Sequence, residues 1–262
     1  MQHQDQRRYP MRYLLALIVV SFALTSFAEE DEFAATEAKI KTALADERRT
    51  EKETIRDKNR KPLETLKFFG LRDDMTVLEL IPGGGWYTKI LGPVLEEKGK
   101  LYISIGAERV GESLKGKPGF GSTEVIPFDR ANFKRQEGSR RSSLSEFSFG
   151  VHKVDMVLTF RNQHNFNTEG RASINKAAFK ALKKGGIYGV VDHTRRHMQE
   201  TTNEVWRRMD PVDIIMEVQA AGFELVDYSK LHYRPDDGLR YEVGRKTVTG
   251  NTDRFTLLFR KP

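Results

Sequence analysis

The chain has 262 residues, of which 38% are hydrophobic and 31% are charged. These fractions are typical of a globular protein with a sizeable core, and they exclude a disordered chain and a polytopic membrane protein. Lysine and arginine outnumber aspartate and glutamate by 44 to 37, and cysteine is absent, which excludes disulfide scaffolds, thiolate metal sites and cysteine nucleophiles.

The first segment has the pattern of an export signal. Three arginines precede an apolar run over residues 14–27, and the run ends at Ala28 before an acidic stretch. A basic region, a short apolar region and a small-x-Ala end are typical of a signal peptide. A membrane span needs about 20 apolar residues, so an uncleaved anchor is the weaker alternative. We predict a signal peptide over residues 1–28 and export, in a bacterium to the periplasm.

Two further regions follow the signal. Residues 29–70 predict a helical N-terminal extension, because apolar positions over 33–69 recur at loose helical spacing. Pro62 suits the first turn of a second helix that stops at Gly70. Residues 71–262 predict one α/β domain.

Strands and helices alternate through this domain. The predicted strands cover 76–81, 100–105, 124–127, 155–160, 187–191, 224–228 and 252–260, and the predicted helices cover 86–95, 169–183 and 211–221. Strands separated by helices indicate a parallel sheet with right-handed crossovers. The polar segment 130–149 predicts a surface excursion, and 234–251 predicts a hairpin or flap.

The strongest local signal is a strand that ends in three glycines and continues as a helix. Glycine tolerates positive φ and lets a ligand approach the backbone, and the helix N-terminus offers unpaired N–H groups. The dinucleotide fingerprint is excluded because no third glycine follows at its required spacing, and a P-loop is excluded because no Gly-Lys-Ser/Thr follows. Ligands of doubly wound sheets bind at the carboxyl ends of the strands. A tight turn without a ligand stays an alternative.

One acidic residue, Glu79, lies inside the strand before this turn. The pattern E-x-x-P-G-G-G-W-Y-T resembles the class I S-adenosylmethionine-dependent methyltransferases, and more narrowly a family of exported bacterial predicted methyltransferases. The resemblance covers roughly residues 56–262, including Arg60-Lys61-Pro62 and the segment 158–165. It implies a Rossmann-like α/β sheet that is mostly parallel, with one antiparallel strand near the edge and helices on both faces, and it implies S-adenosyl-L-methionine as cofactor.

The resemblance also implies roles for single residues. The three glycines contact the amino-acid end of the cofactor, and Glu79 holds its ammonium through the loop. Glu108 is the nearest acid after the second strand for the ribose hydroxyls, and Asp129 follows the third strand for the adenine amino group. Trp86 and Tyr87 pack over the cofactor or anchor the helix. The predicted cofactor-binding residues are Glu79, Pro82, Gly83, Gly84, Gly85, Trp86, Tyr87, Glu108, Asp129, Arg161 and Asn162.

A polar cluster is predicted where the fourth and fifth strands end. Because these strands are neighbours in the inferred topology, His164, Asn165, Asp192 and His193 are expected to converge near the transferred methyl group. Histidine titrates near neutral pH, so His164 or His193 suits a general base or a substrate orienter, with Asp192 in support. The alternative is a structural role, because such residues also cap helices and tie loops together.

Metal and nucleic-acid sites are not predicted. His193 and His197 are four residues apart, but Thr194 stands at the glutamate position of the H-E-x-x-H motif. The arginine pairs are dispersed and interleaved with acids, and export separates the chain from nucleic acid. A solvated basic surface with peripheral contact to anionic lipid or envelope polymer is the favoured interpretation.

The leading functional hypothesis is methyl transfer to a small-molecule or envelope-associated acceptor. S-adenosylmethionine is made in the cytoplasm, whereas the signal directs the chain outward. The alternative hypothesis is therefore a non-catalytic or repurposed exported domain that binds a nucleoside-like or small anionic ligand. An NAD-dependent oxidoreductase is disfavoured because the third glycine of its fingerprint is absent.

Overall fold

A computed structural model describes residues 33–135 and 137–262 of the chain. The predicted signal peptide at 1–28 lies outside the described residues. Within them, no helix is both long enough and apolar enough to cross a bilayer.

Four helices precede the sheet. Helix α1 covers residues 33–44 of the described part, α2 covers Glu51–Thr54, α3 covers Asp57–Arg60 and α4 covers Pro62–Phe68. Lys61 joins α3 to α4 in the left-handed region, with φ +42°, and Pro62 begins α4. The described residues 33–70 are thus mostly helical, and the predicted helix start at Pro62 is confirmed.

The sheet has seven strands in the order β3-β2-β1-β6-β7-β9-β8. Strand β9 runs antiparallel to both of its neighbours, and the other neighbouring pairs are parallel. The strands of this sheet are β1 (Thr76–Leu80), β2 (Lys100–Ser104), β3 (Thr123–Ile126), β6 (Val154–Phe160), β7 (Leu182–His193), β8 (Glu224–Ser229) and β9 (Arg254–Arg260). A Rossmann-like, mostly parallel sheet with one antiparallel strand near the edge is confirmed.

Helices cover both faces of the sheet. The bounds are α5 (Thr88–Leu95), α6 (Glu108–Leu114), α7 (Thr168–Ala181) and α8 (Pro211–Ala220). One apolar cluster joins α1, α4, α5 and α6 to the sheet, and a second joins α7 and α8 to the opposite face. Alternate residues of β1 serve the two clusters: Val77 belongs to the first cluster and Leu78 to the second. Glu79 therefore lies on the face of α4 and α5.

The structure corrects two local predictions and adds detail to a third. The helix expected over 169–183 ends at Ala181, because the next residue is extended and pairs with Val154 at the start of β7. The excursion over 130–149 contains a 3₁₀ turn and a two-stranded hairpin of β4 (Phe133–Arg135) and β5 (Ser142–Leu144). Of the two alternatives predicted for 234–251, a hairpin or a flap, the hairpin is wrong, because that segment has turns and no strand.

A buried ion pair shapes the 234–251 segment instead. Arg208 donates to both carboxylate oxygens of Asp237, at 2.9 and 3.0 Å, and both side chains are fully buried. The same carboxylate accepts from the backbone N–H groups of Leu239 and Asp253, while the Arg208 Nε donates to the Tyr241 carbonyl. Side-chain to backbone bonds therefore replace the ladder of a hairpin and hold this segment against the ends of β7 and β9.

We expect Asp237→Asn to lower the free energy of unfolding by about 3–5 kcal/mol, because it leaves the buried Arg208 cation without its counter-charge. Chemical denaturation monitored by circular dichroism measures this loss. Glu204→Gln is the matched control, because it breaks the exposed Arg245–Glu204 pair and should leave the midpoint unchanged. Equal stability of Asp237→Asn and the parent chain would contradict a clamping role for this pair.

Candidate functional site at the carboxyl edge of the sheet

In three adjacent strands of the sheet, the residue just after the strand end has a left-handed backbone conformation. The φ angle is +53° at Ile81 after β1, +61° at Ile105 after β2 and +64° at Arg161 after β6. Such backbone costs about 1–3 kcal/mol per residue, and it concentrates at functional sites. Asn162 joins two of these strand ends, because its Nδ2 donates to the carbonyls of Leu80 and Ile81 at 3.3 and 3.2 Å.

The glycine loop follows β1. Gly83 and Gly85 take φ values of +60° and +77°, and a Cβ on Gly85 would lie 2.9 Å from the Val110 side chain on α6. The fold itself therefore requires glycine at position 85. Gly84 differs, because its φ lies outside the left-handed region and a Cβ there would meet no atom within 4 Å. Nothing in the described structure requires glycine at position 84, whereas a ligand lying against the backbone would.

A cavity of about 210 Å³ opens beside this loop. Its walls come from the α2–α3 segment, the end of β1, the glycine loop and the end of β6. The lining residues are Glu53, Arg56, Arg60, Glu79, Leu80, Ile81, Pro82, Gly83, Gly84, Trp86, Tyr87, Phe160, Arg161 and Asn162. All predicted cofactor-binding residues except Gly85, Glu108 and Asp129 therefore meet around one cavity.

Glu79 is the only carboxylate from the sheet that lines the cavity. Its side chain is buried, and its Oε2 accepts a hydrogen bond from the Thr88 hydroxyl at 2.6 Å. Burial raises the pKa of Glu79 to about 7, against the effects of Thr88 and the Arg60 charge, which lower it. Near neutral pH this carboxyl is therefore poised between its two protonation states, and a ligand cation would favour the ionised one.

Trp86 and Tyr87 fix the helix that follows the loop, and they also line the cavity. The Tyr87 ring stacks on Phe160 with 3.5 Å between centroids and 11° between planes, and Trp86 meets Tyr87 edge-on at 4.7 Å. The Trp86 indole N–H donates to the Glu53 carbonyl at 2.9 Å. Both predicted roles, packing over the cavity and anchoring the helix, are compatible with this placement.

Arg60 enters the site from the helical extension. Its guanidinium lies 4.2 Å from the centre of the Trp86 ring, and burial lowers its pKa to about 8. Its carbonyl accepts from His232 Nε2 at 2.9 Å, so His232 Nδ1 accepts from the Thr256 hydroxyl at 2.7 Å. Burial lowers the pKa of His232 to about 4, so this histidine is a neutral link between the extension and β9.

The polar cluster predicted after β6 and β7 forms around one carboxylate. Asp192 is fully buried, and its Oδ1 lies 2.7 Å from His164 Nδ1. Its oxygens also accept from the backbone N–H groups of His164 and His193 at 3.1 and 2.7 Å. Because an ionised carboxylate only accepts, Nδ1 of His164 is the nitrogen that donates to Asp192, and in a neutral ring this leaves the lone pair on Nε2. This is the arrangement in which a carboxylate orients a histidine base.

The other two residues predicted for this cluster, His193 and Asn165, make no hydrogen bond to Asp192 through their side chains. The His193 ring centre is 5.9 Å from that of His164, and its Nδ1 is 2.9 Å from the Thr252 hydroxyl oxygen. Burial, with the nearby Arg254 charge, lowers the pKa of His193 well below 6.5, so it is neutral at physiological pH. Asn165 is nearby in the chain, but among the described residues its side chain makes no hydrogen bond to the cluster.

Glu108 and Asp129 lie outside the glycine-loop cavity. Glu108 is an exposed residue that begins α6, and Asp129 is exposed and accepts from the Ala131 N–H at 2.8 Å as a local cap. Both follow strands that end at the same edge of the sheet, so their assignment to the ribose and the adenine stays a prediction.

Six residues of the cavity were not predicted as site residues: Glu53, Arg56, Arg60, Leu80, Ile81 and Phe160. The Arg60-Lys61-Pro62 segment of the family resemblance was the one signal that pointed to the extension. His197, considered for a metal site, pairs with Asp210 at 2.9 Å. In the described part of the chain, no group of three or more histidines and acids could hold a metal ion.

Comparison with known proteins supports the fold alone. No protein-family model matches the chain, and no curated protein matches it in sequence. Solved structures do match. A S-adenosylmethionine-dependent methyltransferase from Aquifex aeolicus is 18% identical, with a TM-score of 0.56 over 86% of this chain and 98% of its own.

Two further matches show the range of this fold. The 4+2-cyclase SpnF is 12% identical, with a TM-score of 0.54 over 78% of this chain and 80% of its own. Human N-acetylserotonin methyltransferase, solved with S-adenosylmethionine, is 14% identical, with a TM-score of 0.52 over 80% of this chain and 53% of its own. The chain has the Rossmann-like fold that these proteins share.

Proposed function

We propose that this chain is an S-adenosylmethionine-dependent methyltransferase. The observation that carries the proposal is Gly84, a glycine that neither backbone conformation nor packing explains, at the wall of a cavity on the ligand edge of the sheet. Glu79 beside it supplies a carboxyl that an ammonium would ionise. The fold shared with solved methyltransferases supports the same assignment. The fold alone does not establish it, because the cyclase SpnF has this fold as well.

The cavity is sized for one end of the cofactor. Its volume of about 210 Å³ is below the roughly 300–1,000 Å³ of whole small-molecule pockets. We assign it to the amino-acid end, with Glu79, Gly83 and Gly84 around the ammonium and the backbone. The nucleoside end would then extend over the ends of β2 and β3, toward Glu108 and Asp129.

When bound, the cofactor supplies an electrophilic methyl group on a sulfonium sulfur. Glu79, Gly83 and Gly84 would hold the amino-acid end of that cofactor. The chain's own contribution is to hold the acceptor in line and exclude water. His164 Nε2 is the candidate to take the acceptor proton where one is lost, because Asp192 fixes its tautomer.

We also propose that the protein is exported and that its methyl acceptor is a small molecule or an envelope component. The support is the sequence of residues 1–28. Mass spectrometry of the protein from its host should find an N-terminus at Glu29, and an intact N-terminus in a cytoplasmic fraction would contradict export.

Gly84→Ala should weaken binding of S-adenosylhomocysteine at least about tenfold, because the new methyl group occupies the ligand's place against the backbone. Isothermal titration calorimetry of the full chain measures this. The melting temperature should stay the same, since the Cβ meets no protein atom. Gly238→Ala is the matched control, because Gly238 has ordinary φ and open surroundings away from the cavity. Unchanged affinity in Gly84→Ala would contradict the assignment.

Binding should also strengthen with pH. Glu79 is protonated below its pKa of about 7, and its ionised form attracts the ligand ammonium. The affinity for S-adenosylhomocysteine should therefore rise about tenfold from pH 6 to pH 8, where the carboxyl becomes ionised before binding. The Glu79→Gln variant should bind S-adenosylhomocysteine more weakly, and its affinity should not rise between pH 6 and pH 8. A parent chain with affinity independent of pH over this range would contradict the role of Glu79.

A further inference from the structure

Several arginines lie in or beside the cavity without a salt bridge to a carboxylate of the described residues. We use the name arginine cluster for Arg60, Arg161 and Arg254. The charges of Arg161 and Arg254 lower the pKa of Arg60, and the charge of Arg161 lowers the pKa of Arg254. Arg60 and Arg161 line the cavity, with Arg56 at its exposed rim. Arg254 on β9 is in register with His193 on β7, so the cluster reaches from the glycine loop to the histidine site.

The other buried arginines of the described chain are all paired. Arg49 bonds to Asp57, Arg171 to Glu217, Arg208 to Asp237 and Arg195 to Asp213, at distances between 2.5 and 3.2 Å. Only Arg60 and Arg254 are buried with no carboxylate partner among the described residues, and both belong to the cluster. Burying a charge without a counter-charge costs free energy. Two such arginines close together in space therefore indicate an anionic ligand that neutralises them.

The side chains around the arginine cluster do not neutralise its positive charge. The Arg60 guanidinium lies over the rings of Trp86 and Tyr87, and one nitrogen of Arg254 donates to the Asn59 carbonyl, while its buried Nε has no partner. Two acids line the cavity: Glu53 pairs with Lys89 at 2.8 Å, and Glu79 bonds to Thr88 and is about half ionised near neutral pH. Positive charge therefore remains in excess.

The proposed cofactor does not remove this excess. S-adenosylmethionine has one carboxylate against an ammonium and a sulfonium, so its net charge is positive. Guanidinium groups pair best with the planar or tetrahedral oxyanions of carboxylates and phosphates. A second, anionic ligand is needed beside the cofactor.

We propose that the arginine cluster binds an anionic group of the methyl acceptor, a carboxylate or a phosphate, between the glycine loop and His164. This inference rests on the proposed function for the identity of the ligand as acceptor. The position of Arg161 supports it, because Arg161 lines the cavity and its backbone N–H donates at 2.6 Å to Val191, the residue before Asp192. The acceptor is thus an acidic molecule held by its charge.

The test is titration calorimetry of the full chain with succinate and, separately, with inorganic phosphate, in the presence of saturating S-adenosylhomocysteine. At least one of the two anions should bind. The anion with the higher affinity identifies the acceptor group as a carboxylate or a phosphate. Arg254→Gln should weaken that anion at least about tenfold and leave S-adenosylhomocysteine affinity within a few-fold, because Arg254 belongs to the arginine cluster but does not line the cavity assigned to the cofactor. Its melting temperature should rise or stay the same, since an uncompensated charge is removed.

Arg171→Gln is the matched control. It breaks the ion pair with Glu217, so it should lower the melting temperature and leave anion binding unchanged. Loss of anion binding once S-adenosylhomocysteine is bound would overturn the proposal, because the cluster would then serve the cofactor carboxylate alone. Full anion affinity in Arg254→Gln would overturn it as well. Anion binding by a chain that does not bind S-adenosylhomocysteine would support the anion site and refute the methyltransferase assignment.

Discussion

Uncompensated positive charge, buried at the carboxyl edge of the sheet, is the constraint around which this site is organised. Arg60 comes from the helical extension, Arg161 from the end of β6 and Arg254 from the start of β9, so three distant parts of the chain place like charges together. Like charges in a protected environment repel, and the packing of the rest of the protein offsets that cost. Proteins retain such arrangements where a ligand uses them.

The helical extension is therefore part of the site. It reaches the glycine loop through the hydrogen bond from Trp86 to Glu53, and it reaches β9 through His232, which bridges the Arg60 carbonyl and the Thr256 hydroxyl. Because His232 is neutral, this bridge adds no further positive charge beside the arginine cluster. The extension thus closes one wall of the cavity and brings a cation into it.

The sequence predicts the parts of this structure that depend on local patterns. The strand before the glycine loop and the meeting of His164, Asp192 and His193 follow from apolar runs, turn residues and the rule that parallel strands end at one edge. The one antiparallel strand near the edge was implied by the family resemblance and not by these patterns. Arg60 and Arg254 could not be assigned, because their roles depend on packing between segments almost two hundred residues apart. For the 234–251 segment the sequence left a hairpin and a flap open, and the hairpin is wrong, since a buried ion pair takes the place of strand pairing.

A crystal structure of the full chain with S-adenosylhomocysteine tests the central claim most directly. The account predicts density for the amino-acid end against Gly83 and Gly84, with its ammonium facing Glu79 and the nucleoside extending over the ends of β2 and β3. Ligand density elsewhere, or a cavity beside Gly84 that stays free of the ligand at saturating concentration, would contradict it.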